Sequence, residues 1–305
     1  MTMRLLPLIL LSITTTVSNG YSVAVVGGSG FVGSRVVQIL AEKGHSVTAV
    51  SKSGKPPAWF PSDADFASSV DWKALDLLTA DDAALDAAIG PSKPDALVSC
   101  VGVVGTDAEE LRSGNGEANV KAFAAGQRAG ISKAVLVSVA SEVASCKDDW
   151  LPDFLLPYFE GKEMAEAAAN DAVGGAGATI VRPTFIYGGD SFGLLPPRVN
   201  ADYGSGVEEL LSSKPFRLLA DATPGLVKVA LRPPVSVDAV AGACAAAAVG
   251  DVEAGSVLDG TDAIKAAAGE GPSTGLTEAV SWAGEQLGRA LQWAQTKASE
   301  LSKAE

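Results

Sequence analysis

Histidine, cysteine and basic residues are scarce in this sequence, and each scarcity argues against a class of function. The 305 residues include 1 histidine and 3 cysteines, so no recognisable zinc-ligand spacing can be assembled. Cys100, Cys146 and Cys244 are odd in number and widely separated, which argues against a disulfide framework and favours a reducing compartment. The 23 lysines and arginines are outnumbered by 36 acidic residues, which gives a net charge of −13. Without a basic cluster, the sequence argues against a nucleic-acid partner.

A hydrophobic run long enough to cross a bilayer is also lacking at the N-terminus. The apolar stretch from Leu5 to Ile13 is too short to span a membrane. It follows Arg4 and precedes small polar residues, a composition typical of a secretory-type signal rather than an arginine-rich presequence. We therefore interpret residues 1–20 as a targeting leader, with an uncleaved N-terminal extension as the alternative.

Glycine, in contrast, is concentrated at one informative place. Gly27, Gly30 and Gly33 lie between a β-branched apolar run and a segment with helical apolar spacing. Glycine lets the chain turn sharply and approach a ligand, and N–H groups at a helix start attract negative charge. The segment predicts a cradle for the pyrophosphate of a dinucleotide, with a purely structural turn as the alternative. The predicted cofactor-binding residues here are Gly27, Gly28, Ser29, Gly30, Phe31, Val32 and Gly33.

Apolar strands alternate with amphipathic segments after this motif. The order predicts an α/β fold with a doubly wound parallel sheet, which binds ligands at the carboxyl ends of its strands. The Pro/Gly-rich stretch 183–234 breaks the alternation and is predicted to form a small substrate-facing lobe. Predicted strands cover residues 23–26, 46–50, 70–77, 96–100, 133–138, 179–182 and 256–258, and predicted helices cover 81–89, 117–129, 158–170 and 237–249.

The C-terminal residues have a different composition. Residues 266–274 are small and flexible, as in a linker, and residues 276–301 have the apolar stripe of an amphipathic helix. Trp282 and Trp293 flank this stripe. They suit contact with a partner in a membrane complex, whereas packing on the chain's own domain is the alternative. The predicted division is a leader over 1–20, a dinucleotide-binding domain over 21–262, and a linker with a terminal helix over 263–305.

Six short motifs occur in an order and spacing that resemble one protein family. They are Gly27–Gly33, Val50–Gly54, Asn119–Val120, Tyr158–Lys162, Arg182–Gly188 and Arg232–Val237. With them, the chain resembles the extended and atypical short-chain dehydrogenase/reductases, which have a Rossmann fold. It is most similar to an organellar branch that includes the plastoglobule Rossmann proteins of plastids and the NADPH-binding accessory subunit of respiratory complex I. The likeness covers about residues 21–260 and implies a nicotinamide dinucleotide cofactor.

The end of the second predicted strand bears on the choice of cofactor. A carboxylate there usually holds a ribose 2′-hydroxyl, whereas a 2′-phosphate favours hydroxyl and cationic groups. The chain has Ser51, Lys52 and Ser53 at this point and no acid. This predicts NADP(H), bound through Ser51 and Lys52, and leaves NAD(H) possible. The resemblance implies that Asp76 contacts the adenine, with a turn or helix-initiating role as the alternative.

Tyr158 and Lys162 are four residues apart, which places them on one face of a helix. A nearby ammonium lowers the pKa of a phenol by stabilising the phenolate. The resemblance implies that Tyr158 protonates a carbonyl oxygen as hydride arrives, while Lys162 also binds the nicotinamide ribose. Alanine occupies position 140, where the family has its active hydroxyl, and Ser138 and Ser141 lie on either side. Ser141 is the predicted substitute; retention of the cofactor without the chemistry is the alternative.

These residues lead to two hypotheses. The first is an organellar NADP-dependent oxidoreductase that acts on a small or lipophilic carbonyl or alcohol metabolite. The second is a non-catalytic, nucleotide-binding accessory subunit or assembly factor of a membrane complex, held through the C-terminal helix. The resemblance implies a plastid or a mitochondrion. The signal-like leader favours a plastid whose import begins at the endoplasmic reticulum.

Overall fold

Seven parallel strands form the central sheet of the protein. A computed structural model describes residues 20–61, 64–145, 155–189, 193–194, 197–223 and 225–271. The predicted leader except Gly20, the cysteine at 146 and the predicted helix over 276–301 lie outside the described residues. The strands are β1 (Ser22–Val26), β2 (Ser46–Ser51), β3 (Asp71–Ala74), β4 (Ala96–Ser99), β5 (Lys133–Val137), β6 (Thr179–Arg182), β7 (Ile186–Tyr187), β8 (Gly193–Leu194), β9 (Pro197–Arg198), β10 (Val235–Ser236) and β11 (Val257–Asp259).

The order across the main sheet is β11-β6-β5-β4-β1-β2-β3. This confirms the predicted doubly wound parallel sheet, since the order reverses direction beside β1. The remaining short strands pair β7 with β10 and β8 with β9. The helices are α1 (Gly33–Glu42), α2 (Asp65–Ser69), α3 (Asp82–Ile89), α4 (Ala108–Arg112), α5 (Ala118–Ala129), α6 (Ser141–Ala144), α7 (Leu156–Val173), α8 (Ala201–Ser212), α9 (Lys214–Ala222), α10 (Gly225–Ala230), α11 (Val237–Val249) and α12 (Gly260–Ala267).

The apolar run Val23–Val26 makes up all of β1 after Ser22 and packs on both faces of the sheet. Val23 and Val25 belong to a core cluster shared with α1 and α11, whereas Ala24 and Val26 belong to a second cluster shared with α3, α5 and α7. Successive side chains of a strand point to opposite faces of the sheet. Because helices cover both faces, every residue of this run is buried.

One predicted strand is shorter than expected. The strand predicted over 70–77 ends at Ala74. Two residues later the carboxylate of Asp76 accepts a hydrogen bond from the N–H of Leu78 at 3.1 Å. This local bond closes a turn, which is the usual effect of an aspartate on the backbone that follows it.

The lobe over 183–234 contains α8, α9 and α10, and a buried network ties it to the rest of the domain. The phenol of Tyr187 donates to Oε2 of Glu208 at 2.8 Å, and Nζ of Lys265 donates to Oε1 at 2.6 Å. Burial and the neighbouring Glu208 raise the pKa of Tyr187. The network joins β7, α8 and α12, so it fixes the lobe beside the carboxyl edge of the sheet.

The start of the predicted linker is wrong. Residues 263–267 belong to α12. Ile264 is fully buried in the cluster formed with α1 and α11, and burial of one apolar anchor stabilises a short helix by packing. None of the described helices is both long and apolar enough to cross a membrane.

Candidate functional site

The connection from β1 to α1 is a tight turn. Gly27 has a φ of +81°, a conformation that side chains rarely adopt. Its N–H donates to the carbonyl of Val50 at 2.8 Å, and its own carbonyl accepts the N–H of Gly30 at 2.8 Å. The turn therefore connects the carboxyl end of β1 directly to the first turn of α1.

Because Gly28 and Gly33 have no side chains, this turn packs close to its neighbours. A Cβ on Gly33 would lie 2.2 Å from the carbonyl oxygen of Gly27, and one on Gly28 would lie 2.8 Å from Cβ of Ala49. The first turn of α1 has no acidic residue, unlike the first turns of α3, α4 and α11. Because the first N–H groups of a helix lack intrahelical partners, this end fits an anion such as a dinucleotide pyrophosphate.

The two apolar residues predicted to bind the cofactor lie differently. Val32 is buried in the core, so only its backbone can contribute to the cradle. The centre of the Phe31 ring lies 5.1 Å from the guanidinium carbon of Arg35, and the centre of the Trp59 ring lies 4.8 Å from the same carbon. The side chain of Phe31 thus packs at the mouth of the cradle.

Hydroxyl groups gather where β2 ends. Oγ of Ser29 lies 2.8 Å from Oγ of Ser51 and 3.3 Å from Oγ of Ser53. Nζ of Lys52 lies 3.3 Å from the carboxylate of Asp76. The fold therefore brings an acid from the end of β3 beside the lysine, although no acid lies at the end of β2 itself.

Tyr158 and Lys162 lie on α7, as the spacing predicts. Nζ of Lys162 lies 5.8 Å from the centre of the Tyr158 ring and donates to the carbonyl of Val137 at 3.1 Å. Burial lowers the pKa of Lys162 to about 8, against the opposing effect of Cys100 and Glu166. Burial also raises the pKa of Tyr158 to about 12. Desolvation thus shifts the pKa of the phenol in the direction opposite to the lowering expected from the ammonium of Lys162.

The hydroxyl candidates after β5 occupy distinct places. Ala140 is buried. The hydroxyl of Ser138 donates to Oε1 of Glu166 at 2.6 Å. Ser141 is exposed at the start of α6, where its N–H donates to Asp259 at 3.1 Å. Ser141 shares a cavity of about 300 Å³ with Lys162 and also lines a second one of about 390 Å³ that reaches the lobe. Tyr158 does not line either of these two cavities.

Two residues beside Lys162 escaped the sequence analysis. A Cβ on Gly102 would lie 3.1 Å from Nζ of Lys162 and 3.0 Å from Oδ1 of Asn115. The amide of Asn115 bonds both the N–H and the carbonyl of Val103, at 3.2 and 3.0 Å. The space beside the ammonium thus depends on a glycine. Gly102 follows β4, and ligands bind at the carboxyl ends of the strands of a parallel sheet. This position could have identified Gly102 from the sequence.

Glu166 was also missed. Its carboxylate accepts bonds from the guanidinium of Arg182 at 3.0 and 2.5 Å in addition to the bond from Ser138. Glu166 follows Lys162 by one helical turn, so spacing alone could have placed it on the same face of α7. Among the described residues, no group of histidine, cysteine or acidic side chains is arranged to hold a metal ion.

The match to a known protein family covers most of the domain. A model described as the NAD dependent epimerase/dehydratase family matches residues 23–222. An uncharacterised chloroplastic protein of Arabidopsis thaliana is 36% identical over 173 residues. That match covers 54% of this chain and 51% of the relative, so the chain spans about half the length of this curated relative.

Solved structures with the same fold are distant in sequence. WbmH of Bordetella bronchiseptica, in complex with NAD+, has a TM-score of 0.53 and 15% identity, covering 78% of this chain and 75% of its own. The oxidoreductase ylbE of Lactococcus lactis has a TM-score of 0.52 and 16% identity, covering 81% and 95%. UDP-glucuronic acid 4-epimerase of Bacillus cereus, in complex with NAD, has a TM-score of 0.51 and 20% identity, covering 78% and 76%. These likenesses establish the shared fold.

Proposed function

Because this chain belongs to the NAD dependent epimerase/dehydratase family, we propose that it is an oxidoreductase that uses NADP(H) to interconvert a carbonyl and an alcohol. One observation carries the proposal. The buried ammonium of Lys162 lies beside Tyr158 and next to the space that Gly102 leaves open. A buried lysine with a lowered pKa is typical of functional sites rather than of solvated surfaces.

The residues divide the chemistry between them. The nicotinamide, when bound, supplies or accepts the hydride. The backbone of the β1–α1 turn, Gly27 to Gly33, would hold the pyrophosphate. Lys162 would bind the nicotinamide ribose, and the phenol of Tyr158 would give its proton to the carbonyl oxygen. Ser141 would donate a hydrogen bond to the same oxygen.

The proposal is tested by equilibrium titration of the purified chain with NADPH and NADH, followed by NADPH oxidation with a panel of aldehydes and ketones. Saturable binding and turnover are expected. Binding without turnover would favour the second candidate, an accessory nucleotide-binding protein of a membrane complex. The buried Ala140, at the position where the family has a hydroxyl, is the observation that favours that candidate.

The preference for NADP(H) is proposed from the groups at the end of β2. Replacing Lys52 with alanine should raise the Kd for NADPH by about tenfold, because one charge-assisted bond to the 2′-phosphate is lost. The Kd for NADH should stay within about twofold, since NADH lacks that phosphate. Lys55→Ala is the matched control on the same connection. Equal losses for both nucleotides would contradict the assignment of Lys52.

The pKa of Lys162 predicts the pH dependence of the reaction. The ammonium holds its proton below about pH 8 and loses it above. For NADPH-dependent reduction, kcat/KM should therefore fall as pH rises through about 8, because a neutral amine no longer stabilises the phenolate left on Tyr158. In Lys162→Arg, the residual activity should lose this inflection, since a guanidinium stays charged. The same inflection in wild type and variant would contradict the prediction.

We place the protein in a plastid, with a mitochondrion as the alternative. The relative in Arabidopsis thaliana is described as chloroplastic, and the signal-like leader is compatible with entry through the endoplasmic reticulum. Imaging of the full chain fused to a fluorescent protein tests this. Secretion into the medium would contradict it.

A further inference from the structure

The larger cavity beside Ser141 is lined by charged side chains that form ion pairs with one another or with their neighbours. Two guanidinium groups, of Arg217 and Arg232, face this space of about 390 Å³ from the lobe. Three carboxylates, those of Glu142, Asp259 and Asp262, line it as well. The lining is therefore not positively charged, although two arginines contribute to it.

Each of these arginines is held by a carboxylate. Nε and Nη2 of Arg232 donate to the two oxygens of Glu142 at 2.5 and 2.6 Å, and Nη2 also donates to Asp221 at 3.0 Å. Nη1 and Nη2 of Arg217 donate to Asp262 at 2.6 and 2.9 Å. A two-bond contact between arginine and a carboxylate has the same geometry that a phosphate would need.

Glu142 holds a second cation as well. Nζ of Lys228 lies 3.4 Å from Oε1 of Glu142. The pairing with Arg232 and Lys228 lowers the pKa of Glu142 against the raising effect of burial, so the carboxylate is charged at neutral pH. Two cations of the lobe thus converge on one carboxylate that directly follows Ser141 in the chain.

We propose that Glu142 is a specificity-determining residue that excludes phosphorylated and other multiply anionic substrates from this site, which leaves uncharged polar carbonyl compounds as its substrate class. The statement about the substrate class rests on the proposed function, whereas the binding test described below does not. A phosphate that binds Arg232 through two hydrogen bonds must displace Glu142 from it. The displaced carboxylate of Glu142 would then repel the same phosphate, because the side chain of Glu142 remains close to the cavity.

Pyrophosphate is the probe of choice, because it carries the relevant charge without a sugar or a base. We would titrate inorganic pyrophosphate into the full chain and into Glu142→Gln by calorimetry, with and without saturating NADPH, which fills the β1–α1 turn. Glutamine keeps the size of the side chain and one acceptor oxygen, removes the charge, and has an NH2 donor in place of the second oxygen that accepts from Arg232. We expect pyrophosphate to bind Glu142→Gln about tenfold more tightly than wild type in the presence of NADPH. Glu160→Gln, on the exposed side of α7, is the matched control and should bind as wild type.

Two results would overturn the inference: equal pyrophosphate affinity in Glu142→Gln and wild type, or tight binding to both. A second measurement avoids dependence on the variant. Wild type should reduce glyceraldehyde with at least about tenfold higher kcat/KM than glyceraldehyde 3-phosphate, since the two differ in one charged group. The reverse preference would overturn the inference. A chain that gains pyrophosphate binding in Glu142→Gln but never binds NADPH would refute the proposed function and leave the role of Glu142 standing.

Discussion

Tyr158→Phe is expected to lower kcat for NADPH-dependent carbonyl reduction by about 10³-fold. Proton transfer by a positioned acid contributes about 10²–10⁴-fold, and phenylalanine keeps the ring while removing the proton. Burial raises the pKa of Tyr158 to about 12, so the phenol holds its proton at neutral pH. The Kd for NADPH should change by less than about twofold, because the ammonium of Lys162 and the β1–α1 turn remain.

Stopped-flow measurement of single-turnover NADPH oxidation separates chemistry from product release. Tyr203→Phe is the matched control, since Tyr203 is 45% exposed on the lobe helix α8. We expect it to retain wild-type rates. A Tyr158→Phe variant with wild-type turnover would show that Tyr158 is not the proton donor. The donor would then have to be sought in the cavity that Ser141 shares with Lys162.

Local sequence was sufficient to predict the seven strands of the main sheet and the helices α1, α3, α5, α7 and α11. The apolar run from Val23 to Val26 is buried on both faces, and only a strand of a helix-covered sheet needs such a run. The helix α11 has the bounds predicted for it, because Ser236 accepts the N–H of Ala239 at 3.0 Å and Gly250 ends it with a φ of +88°. Both caps are local signals.

Helices that depend on distant contacts were not predictable in this way. The π-helical turn Ser113–Glu117, between α4 and α5, surrounds the buried Asn115. This turn depends on a contact with a residue twelve positions earlier in the chain, because the amide of Asn115 bonds the backbone of Val103. The helix α12 similarly depends on burial of Ile264 against other elements. Periodicity within a short segment contains neither contact.

The candidate site shows the same division. The glycines of the β1–α1 turn and the pair Tyr158 and Lys162 follow from spacing, because each set lies within one turn or one helix. The contact between Lys52 and Asp76 joins the segments that follow β2 and β3. The place of Gly102 beside Lys162 brings the segment after β4 against α7. Such contacts between elements are set by the packed fold, so the sequence predicted the residue types better than their partners.

The glycine at position 33 should be the least replaceable residue of the turn. A Cβ there would lie 2.2 Å from the carbonyl oxygen and 2.8 Å from the carbonyl carbon of Gly27. Both atoms belong to the backbone, so the clash cannot be relieved by a side-chain rotation. Gly33→Ala must either push α1 away from β1 or displace the Gly27 carbonyl from the N–H of Gly30, which it accepts at 2.8 Å.

We therefore expect Gly33→Ala to lower the free energy of unfolding by about 3 kcal/mol, as overpacking against fixed atoms does, and to weaken NADPH binding by about 100-fold as the N–H groups of the turn lose their alignment. Urea unfolding and NADPH titration measure the two effects separately. Gly90→Ala is the matched control, because a Cβ on Gly90 would meet no atom within 4 Å and its φ of −63° suits alanine. A Gly33→Ala protein that binds NADPH as wild type does would show that the turn does not hold the pyrophosphate, since the same displacement cannot leave an aligned cradle intact.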